Sequence, residues 1–290
     1  GLIDPWVYKA GKKPKIEEGA GRLYSSPEHE FLKKFAIATL DDLDEEYTAD
    51  SEKRIKSLTP EQIKLYGRLI EKIVIGAAEE VGLNKDAIVC EDLGTVTYPV
   101  AQVMKQYGLQ GMCLTQFVVP DDPEHAYRCK NIKPKSWVMV GTHDNQPISV
   151  WAENIVNTHE GYLHGENLAH DLYPDATEEE QEQIAVRLSK DADFLLFNKL
   201  VEIFACKSEN IQLFFTDYFG LKETYNVPGT SGDENWSLRI PTDYEKVYEE
   251  NLKNGTAINL PAILKQAILS RGKEFAEKYS VLVEQLEKIS

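Results

Sequence analysis

Two short stretches put carboxylates where an apolar run stops. Ile88-Val89-Cys90 runs into Glu91-Asp92-Leu93-Gly94, and Trp137-Val138-Met139-Val140 runs into Gly141-Thr142-His143-Asp144-Asn145. An acid at the end of an apolar strand is costly unless it is hydrogen-bonded or employed. Partial desolvation would help a glutamate in such a wall hold a proton near neutrality. Two such acids across a cleft suit glycoside chemistry, in which one protonates a leaving oxygen and another supports an oxocarbenium-like transition state. Plainer readings stay open. Glu91-Asp92 would also serve as the N-cap of a following helix, and Thr142–Asn145 as an Asx-type turn with His143 a hydrogen-bonded structural residue.

Other chemistries find little support. His125, His159, His164 and His170 do not fall into an HExxH pattern, and Cys90, Cys113, Cys129 and Cys206 include no CxxC pair. Neither GxGxxG nor a Walker-type glycine loop is present. No metal, redox or nucleotide cofactor is therefore expected. A formal charge of −16 would repel a phosphate backbone, which argues against nucleic acid and fits a neutral substrate better. No apolar run approaches ~18 residues, so no membrane span is expected. The cysteines read as reduced thiols of the cytoplasm, with a plastid left open because the chain starts at Gly1. The sequons at Asn235 and Asn254 read as chance matches.

The elements that must position these residues follow a β/α pattern. Residues 1–50 read as irregular up to a helix from about Pro27, and the acidic stretch 41–52 as solvated. Thr59-Pro60-Glu61-Gln62 opens a helix with Thr as N-cap, Pro at N1 and Gln in the reciprocal capping position, stopping near Gly82. Ala87–Cys90, Gly111–Val119, Trp137–Val140 and Leu213–Phe215 read as strands buried on two faces, as in a parallel sheet covered by helices. Val100, Val103, Met104 and Tyr107 mark a helix ended by Gly108. A loop carrying His and Gly is expected over 158–175, then one helix capped by Thr177 and Glu180 that reaches about Cys206. A loop follows Gly220, with helices from about Pro261 to Ser290.

Taken together and in order, IVCEDLG (88–94), GLQGMCLTQF (108–117), GTHDN (141–145) and NVPGT (226–230), with Asn235-Trp236 and Arg239, resemble the 4-α-glucanotransferases, the amylomaltase or disproportionating-enzyme family of the α-amylase clan. The resemblance implies a (β/α)8 TIM-barrel type of α/β fold, with this chain supplying roughly strands 5 to 8. Residues 1–85 would be a helical insertion after strand 4, 86–220 strands 5 to 8, and 221–290 the strand-8 loop and C-terminal helices. It implies α-1,4-glucans and maltooligosaccharides as partners, and transfer of glucan segments by retaining double displacement. Glu91 would be the general acid/base and Asp144 the carboxylate that stabilises the transition state. His143 and Asn145 would contact the same sugar, with Asp92 a supporting acid. Tyr127, beside His125 and Arg128, would line the cleft after strand 6; Asn226 and Trp236 belong to the loop after strand 8, Trp236 as a stacking ring. The family's nucleophilic aspartate lies in an Arg-Val/Ile-Asp-His type motif that this sequence lacks. Asp4, in Leu2-Ile3-Asp4-Pro5, has neither neighbour. The chain thus reads as the C-terminal half of a longer enzyme, inactive and prone to self-association alone. An α-glucan hydrolase of the same clan and a non-catalytic glucan-binding module are the competing readings.

Overall fold

A computed structural model describes residues 57–91 and 98–290. Asp4, Asp92, the helix expected from Pro27 and the acidic stretch 41–52 lie outside the described residues. The chain divides into two compact units, residues 1–111 and 112–290.

In the first unit, α1 (Pro60–Leu69) starts as its sequence predicts. Thr59 Oγ1 accepts from the Gln62 N–H, and Gln62 Oε1 accepts from the Thr59 N–H at 2.8 Å. The helix continues through a π-turn (Ile70–Ile75) into α2 (Gly76–Glu80). β1 is Val89–Cys90, and α3 (Tyr98–Tyr107) leads to β2 (Gln110–Leu114). Gly108 ends α3 with φ +64°, a left-handed conformation that costs glycine nothing. Tyr107 lies across Gly67 of α1 and donates its hydroxyl to Glu71 at 3.1 Å, which docks α3 on α1.

The four strands run parallel in the order β1-β2-β3-β4. Val89 pairs with Gln110 and Cys90 with Gly111. Met112–Leu114 pairs with β3 (Trp137–Met139), and β3 pairs with β4 (Asn210–Ile211). This is an α/β fold with a parallel sheet, as expected. Burial on both faces holds for β3 and the end of β2, where Cys113, Leu114, Val138 and Met139 are buried; β1 and β4 are only half-buried.

The second unit corrects several boundaries. β2 ends at Leu114 because Thr115–Phe117 winds into a 3-10 turn. The fourth strand is Asn210–Ile211 rather than Leu213–Phe215. Asn210 is tolerated there because Ser208 and the carbonyls of Lys135 and Ser136 satisfy it. Phe214 and Phe215 instead enter an aromatic cluster, and Phe215–Phe219 is helix α8.

Four helices connect β3 to β4: α4 (Ile148–Ile155), α5 (His159–Leu172), α6 (Glu178–Leu188) and α7 (Ala192–Ala205). The expected loop over 158–175 is mostly α5, N-capped by Thr158 onto the Gly161 N–H. Its glycines serve close packing. A Cβ on Gly161 would stand 2.3 Å from the Ile155 carbonyl oxygen, and one on Gly165 2.7 Å from that of Ala185. Gly165→Ala, forced against backbone, is expected to cost about 1–3 kcal/mol in urea unfolding. The single helix expected from Thr177 to Cys206 is two. The Thr177–Glu180 capping box is present, but Asp191 caps a new start by accepting from the Phe194 N–H at 3.0 Å.

Beyond Gly220, α9 (Tyr244–Lys253) was not anticipated, because its apolar positions are sparse. α10 (Leu260–Leu269), α11 (Lys273–Lys278) and α12 (Ser280–Ile289) match the C-terminal helices. The core joins Val138 and Val140 of the β3 segment to Trp151, Leu168, Leu188, Leu195, Leu200 and Ile263 of the helices around it.

Candidate functional site

The residues after β3 form a tight turn at the C-terminal end of the strand. The Thr142 N–H donates to Asn145 Oδ1 at 2.7 Å, and the Asn145 N–H returns to the Thr142 carbonyl at 3.1 Å. The Asp144 N–H reaches Thr142 Oγ1 at 3.3 Å. The turn read from THDN is real, and Asn145 rather than His143 closes it. His143 and Asp144 are thereby left at the surface of the turn, with 35% and 23% of their side chains exposed.

These two side chains form the centre of a cluster. His143 Nε2 lies 3.1 Å from Asp144 Oδ1. Asn226 Nδ2 donates to the same oxygen at 2.6 Å, while the Asn226 N–H donates to the His143 carbonyl at 2.9 Å. One asparagine thus holds both the carboxylate and the backbone beneath it. The Trp236 ring is 4.9 Å from the His143 ring and edge-to-face with Tyr225 at 5.2 Å.

Trp236 is half exposed, at 51%, and adopts φ +62°. A bulky residue rarely takes that conformation. It is held by its own N–H to the Tyr225 carbonyl at 3.0 Å and by Arg239 donating to its carbonyl at 2.6 Å. Asn235 Oδ1 accepts from the Val227 N–H at 3.0 Å, pinning the same loop. Asp144, His143, Asn145, Asn226 and Trp236 are therefore brought together.

Two supports were missed. Gln116, just past β2, donates Nε2 to the Gln146 carbonyl at 2.8 Å. Asp217 of α8 accepts from the Ile148 N–H at 2.7 Å, so a carboxylate caps α4 directly behind the turn. A lone acid within the aromatic run Phe214-Phe215-Thr216-Asp217-Tyr218-Phe219 was the signal that could have found it.

Burial pushes the Asp217 carboxyl up to about 6, against the pull of the Ile148 N–H. The folded protein then holds this proton where the unfolded chain has released it. The group's stabilising contribution is full below about 3.8 and is lost as pH rises through about 6. His164 of α5 acts in the opposite sense. Burial, with Lys199 and Arg128 nearby, lowers it to about 3, so its contribution is lost as pH falls from 6.5. Asp217→Asn should keep the cap and remove only the first effect. Its stability relative to the parent should improve by about 2 kcal/mol on going from pH 4 to pH 7, read from urea unfolding at each pH.

Other candidates stand differently. Glu91 follows β1 directly, where the sequence put it, but it is exposed, so the desolvation expected of it is not found. Only two strand residues precede it, and both are half-buried. Arg128 turns inward, donating to Asn167 Oδ1 at 2.5 Å, and Tyr127 packs against the core. Simple packing therefore describes this segment in the structure. Among the described residues no group of His, Cys, Asp and Glu could hold a metal ion, and no helix is long and apolar enough to cross a membrane.

Comparison with known proteins agrees with the motif set. The family model described as 4-alpha-glucanotransferase matches residues 19–244. The chain is 27% identical over 163 residues to the chloroplastic/amyloplastic 4-alpha-glucanotransferase of Solanum tuberosum, covering 55% of this chain and 24% of that one. It is 29% identical over 192 residues to the 4-alpha-glucanotransferase of Streptococcus pneumoniae serotype 4, covering 64% and 33%. An amylomaltase crystal structure from Corynebacterium glutamicum aligns with a TM-score of 0.44 and 21% identity, over 67% of this chain and 29% of that one. The chain thus spans about a quarter to a third of the length of the relatives it matches. With the family model covering residues on both sides of the His143–Asp144 turn, the chain belongs to the 4-alpha-glucanotransferase (amylomaltase) family of the α-amylase clan.

Proposed function

We propose that this chain contributes part of the active site of a 4-α-glucanotransferase that moves α-1,4-glucan segments onto an acceptor glucan with retention of configuration. The observation that carries the reading is the Asp144–His143–Asn226–Trp236 cluster at the end of β3, in a chain of this family. In the reading, residues 86–220 supply strands 5 to 8 of a (β/α)8 barrel. Glu91 protonates the leaving glycosidic oxygen while an aspartate, assigned to no residue here, attacks the anomeric carbon. Glu91 then takes the proton from the 4-hydroxyl of the acceptor, which displaces the carboxylate and forms the new bond. Asp144 grips sugar hydroxyls and offsets positive charge at the anomeric carbon, and His143 hydrogen-bonds the same unit. Trp236 offers a ring face whose backbone is already set for stacking.

The test is incubation of the protein at its full native length with maltotriose. Products longer than maltotriose support transfer; glucose and maltose alone would make it a hydrolase. Binding of maltooligosaccharides without turnover would make it a glucan-binding module.

Asn226→Ala removes a charge-assisted hydrogen bond from Asp144 and leaves His143 alone to hold that oxygen. It should lower kcat roughly 10–100-fold with KM changed far less. A loss confined to KM would show that Asn226 serves ground-state binding instead.

A further inference from the structure

The segment 141–146 that carries His143 and Asp144 is gripped at both ends by a single residue from the turn after the neighbouring strand. Gln116 lies in the 3-10 turn Thr115–Phe117 just past β2 and is buried. Its N–H donates to the Val140 carbonyl at 3.0 Å, which carries the β2–β3 ladder one step beyond the Leu114–Met139 pair. Its side-chain Nε2 donates to the Gln146 carbonyl at 2.8 Å. That carbonyl stands just outside α4, whose ladder opens with the Trp151 N–H on the Pro147 carbonyl. A buried amide that lost this partner would be left unsatisfied, so the bond is firmly held.

Gly141 belongs to the same device. A Cβ there would stand 3.0 Å from Gln116 Oε1 and 3.1 Å from both Cδ and Nε2. The amide therefore lies against the glycine, and it cannot give way without disturbing its bond to Gln146. The bonds between Thr142 and Asn145 are internal to the turn, so they fix its shape and leave its place to other groups. We infer that Gln116 is a positioning residue, which sets where Asp144 and His143 stand by holding both ends of their turn, with Gly141 leaving room for its amide. Gln116 acts through the turn, and the catalytic consequence rests on the glucanotransferase reading. A catalytic group displaced by about 1 Å can cost roughly 10²-fold in rate.

The test uses the protein at its full native length, with two readouts: amide hydrogen exchange at Thr142 and Asn145, and kcat and KM for maltotriose. Gln116→Leu keeps bulk and loses the donor. Exchange at the two amides should quicken about 10-fold while the amides of α5 to α7 stay as they were. Its kcat should fall roughly 10–100-fold with KM within about threefold of the parent. Gly165→Ala, which strains packing away from the turn, should not reproduce the loss of kcat. Gly141→Ala should lower kcat in the parent but add little in a Gln116→Ala background, where no amide remains to be displaced. Losses that multiplied in that pair would overturn the proposal. Where maltotriose is turned over, Gln116→Leu must change both exchange and kcat, and a change in one alone also overturns it. If the parent leaves maltotriose untouched, the glucanotransferase reading falls, and the exchange measurement alone decides whether Gln116 holds the turn. Gly141→Ala keeps every hydrogen-bonding group and supplies the same readouts if Gln116→Leu does not fold.

Discussion

Glu91→Gln in the protein at its full native length is expected to lower kcat by about 10²–10⁴-fold. Glutamine keeps the shape and the hydrogen-bonding reach of the side chain but has no proton to give. The loss should depend on the leaving group. A glucosyl donor with a fluoride leaving group needs no protonation, so its first step should survive, and the glycosyl-enzyme should accumulate for want of a base. Added azide, which needs no base, should then restore turnover as glycosyl azide of retained configuration. Turnover of maltotriose within a few-fold of the parent would remove Glu91 from the acid/base role. The exposure of Glu91 makes the experiment clean, since its replacement disturbs no described packing.

The second large effect is on stability. Lys199 and Glu202 lie one turn apart on α7, Nζ to Oε2 2.6 Å, with 1% and 11% of their side chains exposed. Lys199 also sits 5.7 Å from the centre of the Trp151 ring. Removing one partner strands the other charge in the core. Glu202→Ala is therefore expected to cost about 3–5 kcal/mol in urea unfolding. Lys199→Met with Glu202→Met removes both charges and retains volume, and it should come out near neutral. If the single variant costs under 1 kcal/mol, or the double costs as much as the single, the pair is not the desolvated unit that its burial describes.

Much of the local structure was legible because its causes are local. The Thr59 and Thr177 caps, the stop at Gly108 and the apolar run of β3 depend on neighbours within a few residues. The errors share one cause. Glycines 161 and 165 read as loop residues because their purpose, room for the backbones at Ile155 and Ala185, appears only when the helices are packed. Phe214 and Phe215 read as strand because an apolar run does not say whether it pairs backbone or fills an aromatic cluster. Asn210, polar and yet in β4, is satisfied by carbonyls of the Lys135–Ser136 segment, more than seventy residues away in sequence.

The site divides along the same line. Residue types and order alone carried the family and put Glu91 and Asp144 at strand ends, because an acid after an apolar run is a local signal of cost or use. Tertiary structure alone decided that Asn226 grips Asp144 across 82 positions, that Asp217 and Gln116 brace the turn, and that Trp236 stands beside His143 in a left-handed conformation. Each of these is a contact between segments distant in the chain. Pattern and propensity act over a turn or two of backbone, and only packing brings such partners within hydrogen-bonding distance.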